Sequence, residues 1–321
     1  MTPTPSTTPA EPPEVLVVAK LWPPMMESLR GAFRVHDRIH QSDPTAFAAV
    51  APRIRAISAS GESKVSRELI AQMPALEIIS VFGVGYDGVD VAAARERGIA
   101  VTNTPDVLND EVADLAIGLV LAVSRRIPQA DRYVREGQWA NGPMPLARKV
   151  SGARLGIVGL GRIGNAIARR AEAFDMTIAY TARSAKPESS YRYFPSAEAL
   201  AAEVDFLVVI TPGGAGTRKL IDAKVLKALG KEGYLINVAR GSVVDEAALV
   251  EALQNGTIAG AGLDVFENEP NVPAALIALD NVVLTPHVGS ATWQTRRAMA
   301  DRAFGNLEAH FAGKPLLSPV P

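Results

Sequence analysis

The chain has 321 residues, 48% of them hydrophobic, and 33 Lys and Arg against 34 Asp and Glu give a net charge of -1. Such a length suits two domains of ordinary size, and the charge balance supplies no electrostatic footprint for nucleic acid or an anionic membrane. Cysteine is absent, which excludes disulfides, thiolate nucleophiles and cysteine-held metals, and the four histidines (His36, His40, His287, His310) leave little room for a metal centre.

Residues 1–13, MTPTPSTTPAEPP, lack the basic residues and apolar run of a signal peptide, and their Pro and Thr content argues for a disordered tail. No apolar stretch reaches the roughly 18–20 residues of a membrane span. A soluble, cytoplasmic protein is expected. From Glu14 onward, short β-branched runs alternate with helical patterns. Val15–Ala19, Ile54–Ser58, Leu76–Val81 and Ile99–Asn103 read as strands buried on both faces, with Ala-rich helical stretches such as Val89–Arg97 between them. Asn109–Ser124 reads as a long apolar helix, with Asn109 or Asp110 as a plausible N-cap. A second series then places strands at Arg154–Gly159, Thr177–Thr181, Phe206–Ile210, Tyr234–Val238, Ile258–Leu263 and Val282–Leu284. The last helix, near Ala291–Phe311, has no evident place in that series and is expected to return to the first. The fold class is therefore α/β, with two Rossmann-like domains built on parallel sheets. One is discontinuous, residues 14–105 plus 289–321; the other spans residues 106–288.

GxGxxG occurs twice, each time after a strand: Gly83-Val-Gly85-Tyr-Asp-Gly88 and Gly159-Leu-Gly161-Arg-Ile-Gly164. At such a turn, main-chain N–H groups and the helix dipole favour an anion. The first copy carries Asp87 and is followed by Asp90, which repel a pyrophosphate. The second carries Arg162 and continues with small residues that let the helix sit close to the sheet. The dinucleotide is assigned to Gly159, Gly161 and Gly164. For the first copy, a tight structural turn and a site for a smaller anion, such as a carboxylate, both stand open. The next strand ends Tyr180-Thr181-Ala182-Arg183-Ser184, where an NAD-binding protein carries a carboxylate for the ribose hydroxyl. Thr181 occupies that place, and Arg183 and Ser184 offer a cation and a hydroxyl to a 2′-phosphate. NADPH is preferred on this reading, NADH remaining possible; otherwise Arg183 is a solvated surface arginine.

Three polar positions follow the carboxyl ends of later strands: Arg240, Asp264 with Glu269, and His287. Reducing a ketone by hydride transfer requires a proton donor for the forming alkoxide, and histidine suits that role near neutral pH. A neighbouring carboxylate favours its protonated form. Arginine offers a rigid fork that matches a 2-keto acid. Neither a cysteine nor a GxSxG elbow is present to suggest nucleophilic catalysis.

The segments IVGLGRIG (Ile157–Gly164), NVARG (Asn237–Gly241), DVFENEP (Asp264–Pro270) and TPHVGS (Thr285–Ser290), in this order, resemble the D-2-hydroxyacid dehydrogenase family. The likeness covers nearly all of the chain after the Pro-rich tail. VFGVGYDGVD, VTNTPDVLNDEVADLAIGL, NLEAHFAGKPL and YTARSAKP look most like its hydroxyphenylpyruvate and hydroxypyruvate/glyoxylate reductase branch. The resemblance implies that Arg240 binds the substrate carboxylate and carbonyl, that His287 is the acid/base and that Glu269 holds it. It implies a substrate domain in residues 14–105 plus 289–321, where Val84 and Gly85 would grip the carboxylate through their N–H groups. Ser290 would lie beside the substrate, and Asp264 would face the nicotinamide carboxamide. The cofactor set it implies takes in Gly159, Gly161, Arg162, Ile163, Gly164, Thr181, Ala182, Arg183, Ser184, Thr211, Pro212, Thr217, Val238, Ala239, Asp264 and Gly289, with no metal. It also implies a homodimer, with Asn109–Val150 in the interface and Trp139 reaching the partner's site. Two departures stand out: Thr211-Pro-Gly-Gly-Ala-Gly216 is less polar than expected near the adenosine, and Trp293 replaces a smaller residue, where it narrows the pocket or packs the last helix.

The expected activity is NADPH-dependent reduction of small 2-keto acids (glyoxylate, hydroxypyruvate and aryl pyruvates) to D-2-hydroxy acids. The alternatives are an NAD-linked D-2-hydroxy acid dehydrogenase and, further off, a nucleotide-sensing interaction protein of the same fold.

Overall fold

Apolar, β-branched runs become strands where helices cover both faces of a parallel sheet, and this chain builds two such sheets. The computed structural model describes residues 11–321, so most of the expected Pro/Thr tail lies outside the described residues. The described chain divides into two compact units, one running to Val107 and resuming over Trp293–Pro321, the other Leu108–Thr292.

The first unit holds β1 (Glu14–Val17), β2 (Arg34–Asp37), β3 (Ile54–Ser60), β4 (Ile78–Phe82) and β5 (Ala100–Thr102), all parallel, in the order β2-β1-β3-β4-β5. This is the flavodoxin-like variant of the doubly wound fold. All five residues of β4 are buried. The helix Trp293–Phe311 packs on β4, where Ala300 and Ala303 allow close approach and the Ser80 hydroxyl donates to the Ala303 carbonyl at 2.9 Å. Phe33 meets Phe304 and Phe311 at 5.9 and 5.6 Å between ring centroids. Sequence periodicity missed β2, whose residues RVHD are polar apart from Val35, with none of them fully buried, as an edge strand allows.

The second unit holds seven parallel strands: β6 (Arg154–Val158), β7 (Thr177–Thr181), β8 (Arg192–Phe194), β9 (Phe206–Val209), β10 (Tyr234–Asn237), β11 (Gly260–Leu263) and β12 (Val282–Leu284). Their order is β12-β11-β10-β9-β6-β7-β8. The winding reverses between β6 and β9, and the crevice beyond the carboxyl ends of those strands is where such sheets bind ligands. β8 is a second short edge strand that pattern alone did not reveal.

The helix Asn109–Ser124 runs over the expected residues, but neither Asn109 nor Asp110 caps it. Leu108 occupies the N-cap with no side-chain cap, and Asp110 and Glu111 sit in the first turn, where acidic groups favour the helix dipole. Its apolar sequence is explained by burial of Val112, Ile117, Leu119, Val120 and Val123. β11 accommodates it with glycine: a Cβ on Gly262 would lie 3.0 Å from Leu119 Cβ. Arg170 ion-pairs with Asp110 and Asp114, tying the helix Arg162–Glu172 to the same helix. Among the described residues, no helix is long and apolar enough to cross a membrane.

Candidate active site

The turn after β6 has three glycines with three different geometric reasons. Gly159 sits at φ +107, and a Cβ there would meet the Thr211 backbone at 2.9 Å. A Cβ on Gly164 would lie 2.3 Å from the Gly159 carbonyl oxygen, so only glycine lets the helix start this close to the strand. Nothing lies within 4 Å of a Cβ on Gly161, which opens the turn to an approaching group. Gly161 is the N-cap of the helix Arg162–Glu172, with Arg162 and Ile163 in its first turn. A bare main-chain turn at a helix N-terminus fits a dinucleotide pyrophosphate.

Around it, Thr181 closes β7, is 6% exposed and accepts the Gly159 N–H on its carbonyl at 2.9 Å. Arg183 and Ser184 are exposed beyond it. The Tyr180 hydroxyl accepts the Lys186 N–H at 2.6 Å and so closes the Thr181–Lys186 turn. The loop after β9 closes on itself: Thr217 donates its hydroxyl to the Pro212 carbonyl at 2.7 Å, and Gly214 takes φ +124.

After β10, Asn237 is 1% exposed and ties the next turn from both ends of its amide. Its Oδ1 accepts the Ala239 N–H at 3.1 Å and its Nδ2 donates to the Arg240 carbonyl at 3.0 Å, while Val238 and Ala239 are buried. Gly241 follows because a Cβ would fall 1.9 Å from the Phe266 carbonyl carbon and 2.0 Å from its oxygen. Gly241→Ala is expected to cost about 3 kcal/mol of stability, as overpacking against backbone cannot relax through a side chain. The corresponding fall in melting temperature is roughly 6–12 °C; a thermal melt that matches the parent's would show the backbone yielding instead.

Glu269 and His287 form a close polar pair, with Glu269 Oε2 2.7 Å from His287 Nδ1. The other carboxylate oxygen of Glu269, Oε1, accepts the Phe266 N–H at 2.9 Å, so the acid is fixed at both ends. His287 adopts a left-handed backbone, φ +53, an uncommon state for a residue with a side chain. Asp264, 2% exposed, holds that turn. Its Oδ1 accepts from the Thr285 hydroxyl at 2.6 Å and the Val288 N–H at 2.8 Å, and its Oδ2 accepts from the Gly289 N–H at 2.9 Å. The Asp264 carbonyl also accepts the His287 N–H at 2.9 Å. Thr285 and Asn237 thus support the site, though the sequence reading did not single them out. Their signal was a polar residue at the close of an apolar strand. Ser290 follows the clamped turn, half-buried. Trp139 is 69% exposed in a short turn, Gln138–Asn141.

In the first unit, the glycine turn after β4 is held by main-chain and side-chain donors. The Thr104 N–H donates to the Gly83 carbonyl and Asn103 Nδ2 to the Val84 carbonyl, both at 2.8 Å. Trp293 does not bury itself in packing the last helix: it is 77% exposed, with its ring edge-on to Trp22 at 5.9 Å.

The geometry is that of a doubly wound α/β unit with a glycine-rich turn at a helix N-terminus and a histidine–carboxylate pair beyond the carboxyl ends of its strands. Comparison with known proteins narrows the class. Residues 117–289 match the D-isomer specific 2-hydroxyacid dehydrogenase family, NAD binding domain. Hydroxyphenylpyruvate reductase of Plectranthus scutellarioides is 56% identical over 270 residues, covering 84% of this chain and 86% of its own. Glyoxylate/hydroxypyruvate reductase A of Arabidopsis thaliana is 54% identical, covering 83% and 85%. Among solved structures, the NADPH-dependent glyoxylate/hydroxypyruvate reductase of Sinorhizobium meliloti, in complex with NADP and malonate, superimposes with a TM-score of 0.91 at 51% identity over 96% of each chain. The chain belongs to the D-isomer specific 2-hydroxyacid dehydrogenase family and is an NAD(P)-dependent dehydrogenase.

Proposed function

We propose that this protein reduces small 2-keto acids (glyoxylate, hydroxypyruvate and aryl pyruvates) to D-2-hydroxy acids, with NADPH preferred over NADH. The observation that carries the reading is the Glu269–His287 pair: a carboxylate fixed by the Phe266 N–H at one oxygen and 2.7 Å from an imidazole at the other. The bound cofactor supplies a hydride. Glu269 holds His287 through Nδ1, so that Nε2 delivers the proton to the forming alkoxide oxygen. Arg240 binds the substrate carboxylate and carbonyl through its guanidinium fork. The N–H groups of Val84 and Gly85 act as further carboxylate donors, with Ser290 beside the substrate. Asp264 keeps the His287 turn in place and faces the carboxamide end of the nicotinamide.

The cofactor preference is supported by the uncharged Thr181 at the strand end, by Arg183 and Ser184 after it, and by the likeness to an enzyme solved with NADP. Val238, Ala239, Thr211, Pro212 and Thr217 line the same crevice in this reading. The substrate class is supported by the reductase relatives. We further propose a homodimer joined through Asn109–Val150, with Trp139 contacting the partner's site. Ile127, Val134, Trp139 and Leu146 leave large apolar surfaces exposed there, as an association face does.

The test is a panel of 2-keto acids with NADPH and with NADH, followed by the absorbance of the reduced nicotinamide. Substrate-independent nucleotide binding with no turnover would favour a nucleotide sensor. Arg240→Lys should not restore function, because an ammonium cannot reproduce the two-pronged contact. Both the KM for the keto acid and kcat should worsen. Parental catalytic efficiency in the lysine variant would place the carboxylate contact elsewhere.

A further inference from the structure

A buried hydrogen-bond chain in the first unit ends on the Val84 carbonyl. It begins at Asn306, fully buried in the helix Trp293–Phe311. Asn306 Oδ1 accepts the N–H groups of Leu317 and Ser318 at 2.9 and 3.2 Å, and Nδ2 donates to the Ser318 hydroxyl at 2.9 Å. Ser318 Oγ donates in turn to the Asn103 carbonyl at 2.7 Å, while its own carbonyl accepts the Asn103 N–H at 3.3 Å. Asn103 Nδ2 then donates to the Val84 carbonyl at 2.8 Å. The segment that carries Ser318 is also fixed along β5, where Pro319 bridges Thr102 and the Val320 N–H donates to the Val101 carbonyl at 2.8 Å.

These contacts govern two peptide planes. In a trans peptide, a carbonyl and the following N–H lie in one plane and point in opposite directions. The Gly83 carbonyl shares its plane with the Val84 N–H, and the Val84 carbonyl shares its plane with the Gly85 N–H. With the Thr104 N–H holding the first carbonyl and Asn103 Nδ2 the second, both N–H groups are turned away from Asn103 and Thr104. The far end of the turn is closed as well. The Gly88 carbonyl accepts the Val65 N–H at 2.8 Å, and a Cβ on Gly88 would lie 2.2 Å from the Ser63 carbonyl oxygen.

We propose that Asn103, Ser318 and Asn306 are positioning residues for the substrate: they aim the Val84 and Gly85 N–H groups at its carboxylate. This rests on the reading of those two N–H groups as carboxylate donors. Donors aimed before the anion arrives need no reordering when it binds, which is how preorganisation adds affinity. None of the three touches the substrate; each acts through the turn. The NLEAHFAGKPL segment and the residues after it thereby gain a part in substrate binding.

The experiment measures KM for glyoxylate, kcat, the Kd of NADPH and the melting temperature for Asn103→Ala, Asn103→Asp, Ser318→Ala, Ser318→Thr and Val84→Pro. Asn103→Asp keeps the shape but cannot donate to the Val84 carbonyl. Both Asn103 variants should raise KM about 5- to 30-fold, the worth of one lost buried hydrogen bond, with kcat and the NADPH Kd near parental. Ser318→Ala should move KM the same way, and Ser318→Thr, which keeps the hydroxyl, should restore it. Val84→Pro deletes one donor itself and should raise KM. If Val84→Pro raises KM while the folded Asn103 and Ser318 variants keep the parental value, the positioning role is overturned and the carboxylate reading stands. Should Val84→Pro leave KM unchanged, the carboxylate reading fails and takes the inference with it. Parallel losses in KM, kcat and NADPH affinity, unrelieved by Ser318→Thr, would mark the chain as purely structural and overturn the proposal.

Discussion

His287→Ala is expected to cut turnover by about 10²–10⁴-fold while NADPH binding stays near parental, because in the proposed mechanism the imidazole supplies proton transfer and no contact to the dinucleotide turn. The fold should survive the change. The turn that carries His287 is secured through backbone: the His287 N–H donates to the Asp264 carbonyl, and the Val288 and Gly289 N–H groups donate to the Asp264 carboxylate. None of these bonds needs the ring. Glu269 keeps its contact with the Phe266 N–H, so the carboxylate stays anchored at one oxygen when its partner is deleted. Steady-state turnover with glyoxylate and a fluorescence titration with NADPH separate the two effects. Turnover close to the parent's would remove His287 from the role of acid. A matched loss of NADPH affinity would mean that the turn had collapsed.

Arg183→Ala is expected to weaken NADPH by about 10- to 150-fold, the worth of one charge-assisted contact, and to leave NADH nearly unchanged. NADH carries no 2′-phosphate for the guanidinium to meet. Thr181→Asp should push further in the same direction. Thr181 closes β7 with its carbonyl on the Gly159 N–H, so a carboxylate there sits at the strand end beside the glycine turn. An acid at that place accepts a ribose hydroxyl and repels a phosphate. Arg183 itself is exposed on the turn closed by Tyr180 and Lys186, so its loss should cost little stability. The double variant should reverse the cofactor preference, read as the ratio of catalytic efficiencies with NADPH and NADH. Equal weakening of both cofactors by Arg183→Ala would make it a general nucleotide contact. A parent without preference would remove the NADPH assignment.

By itself, the sequence determined the parallel α/β class, ten of the twelve strands to within two residues at each end, the helix Asn109–Ser124 and the residues proposed here for the chemistry. Such features are local. A strand buried on both faces must be apolar along its length, and a turn that meets a dinucleotide must lack side chains at fixed spacings, so neighbouring residues record both. The short edge strands β2 and β8, of four and three residues, escaped because edges relax the burial rule, and the cap of the helix at Asn109 was misplaced because a first-turn acid serves its dipole equally well. Tertiary structure alone decided how the site is held. Asp264 could be read as a polar residue near a cofactor, but its grip on Thr285, Val288 and Gly289 joins two strand ends about twenty residues apart. Ser318 and Asn103 are separated by 215 positions yet share a buried hydrogen bond. Hydrogen-bond partners across loops are chosen by where the sheets bring their ends, and no periodicity in the chain encodes that choice.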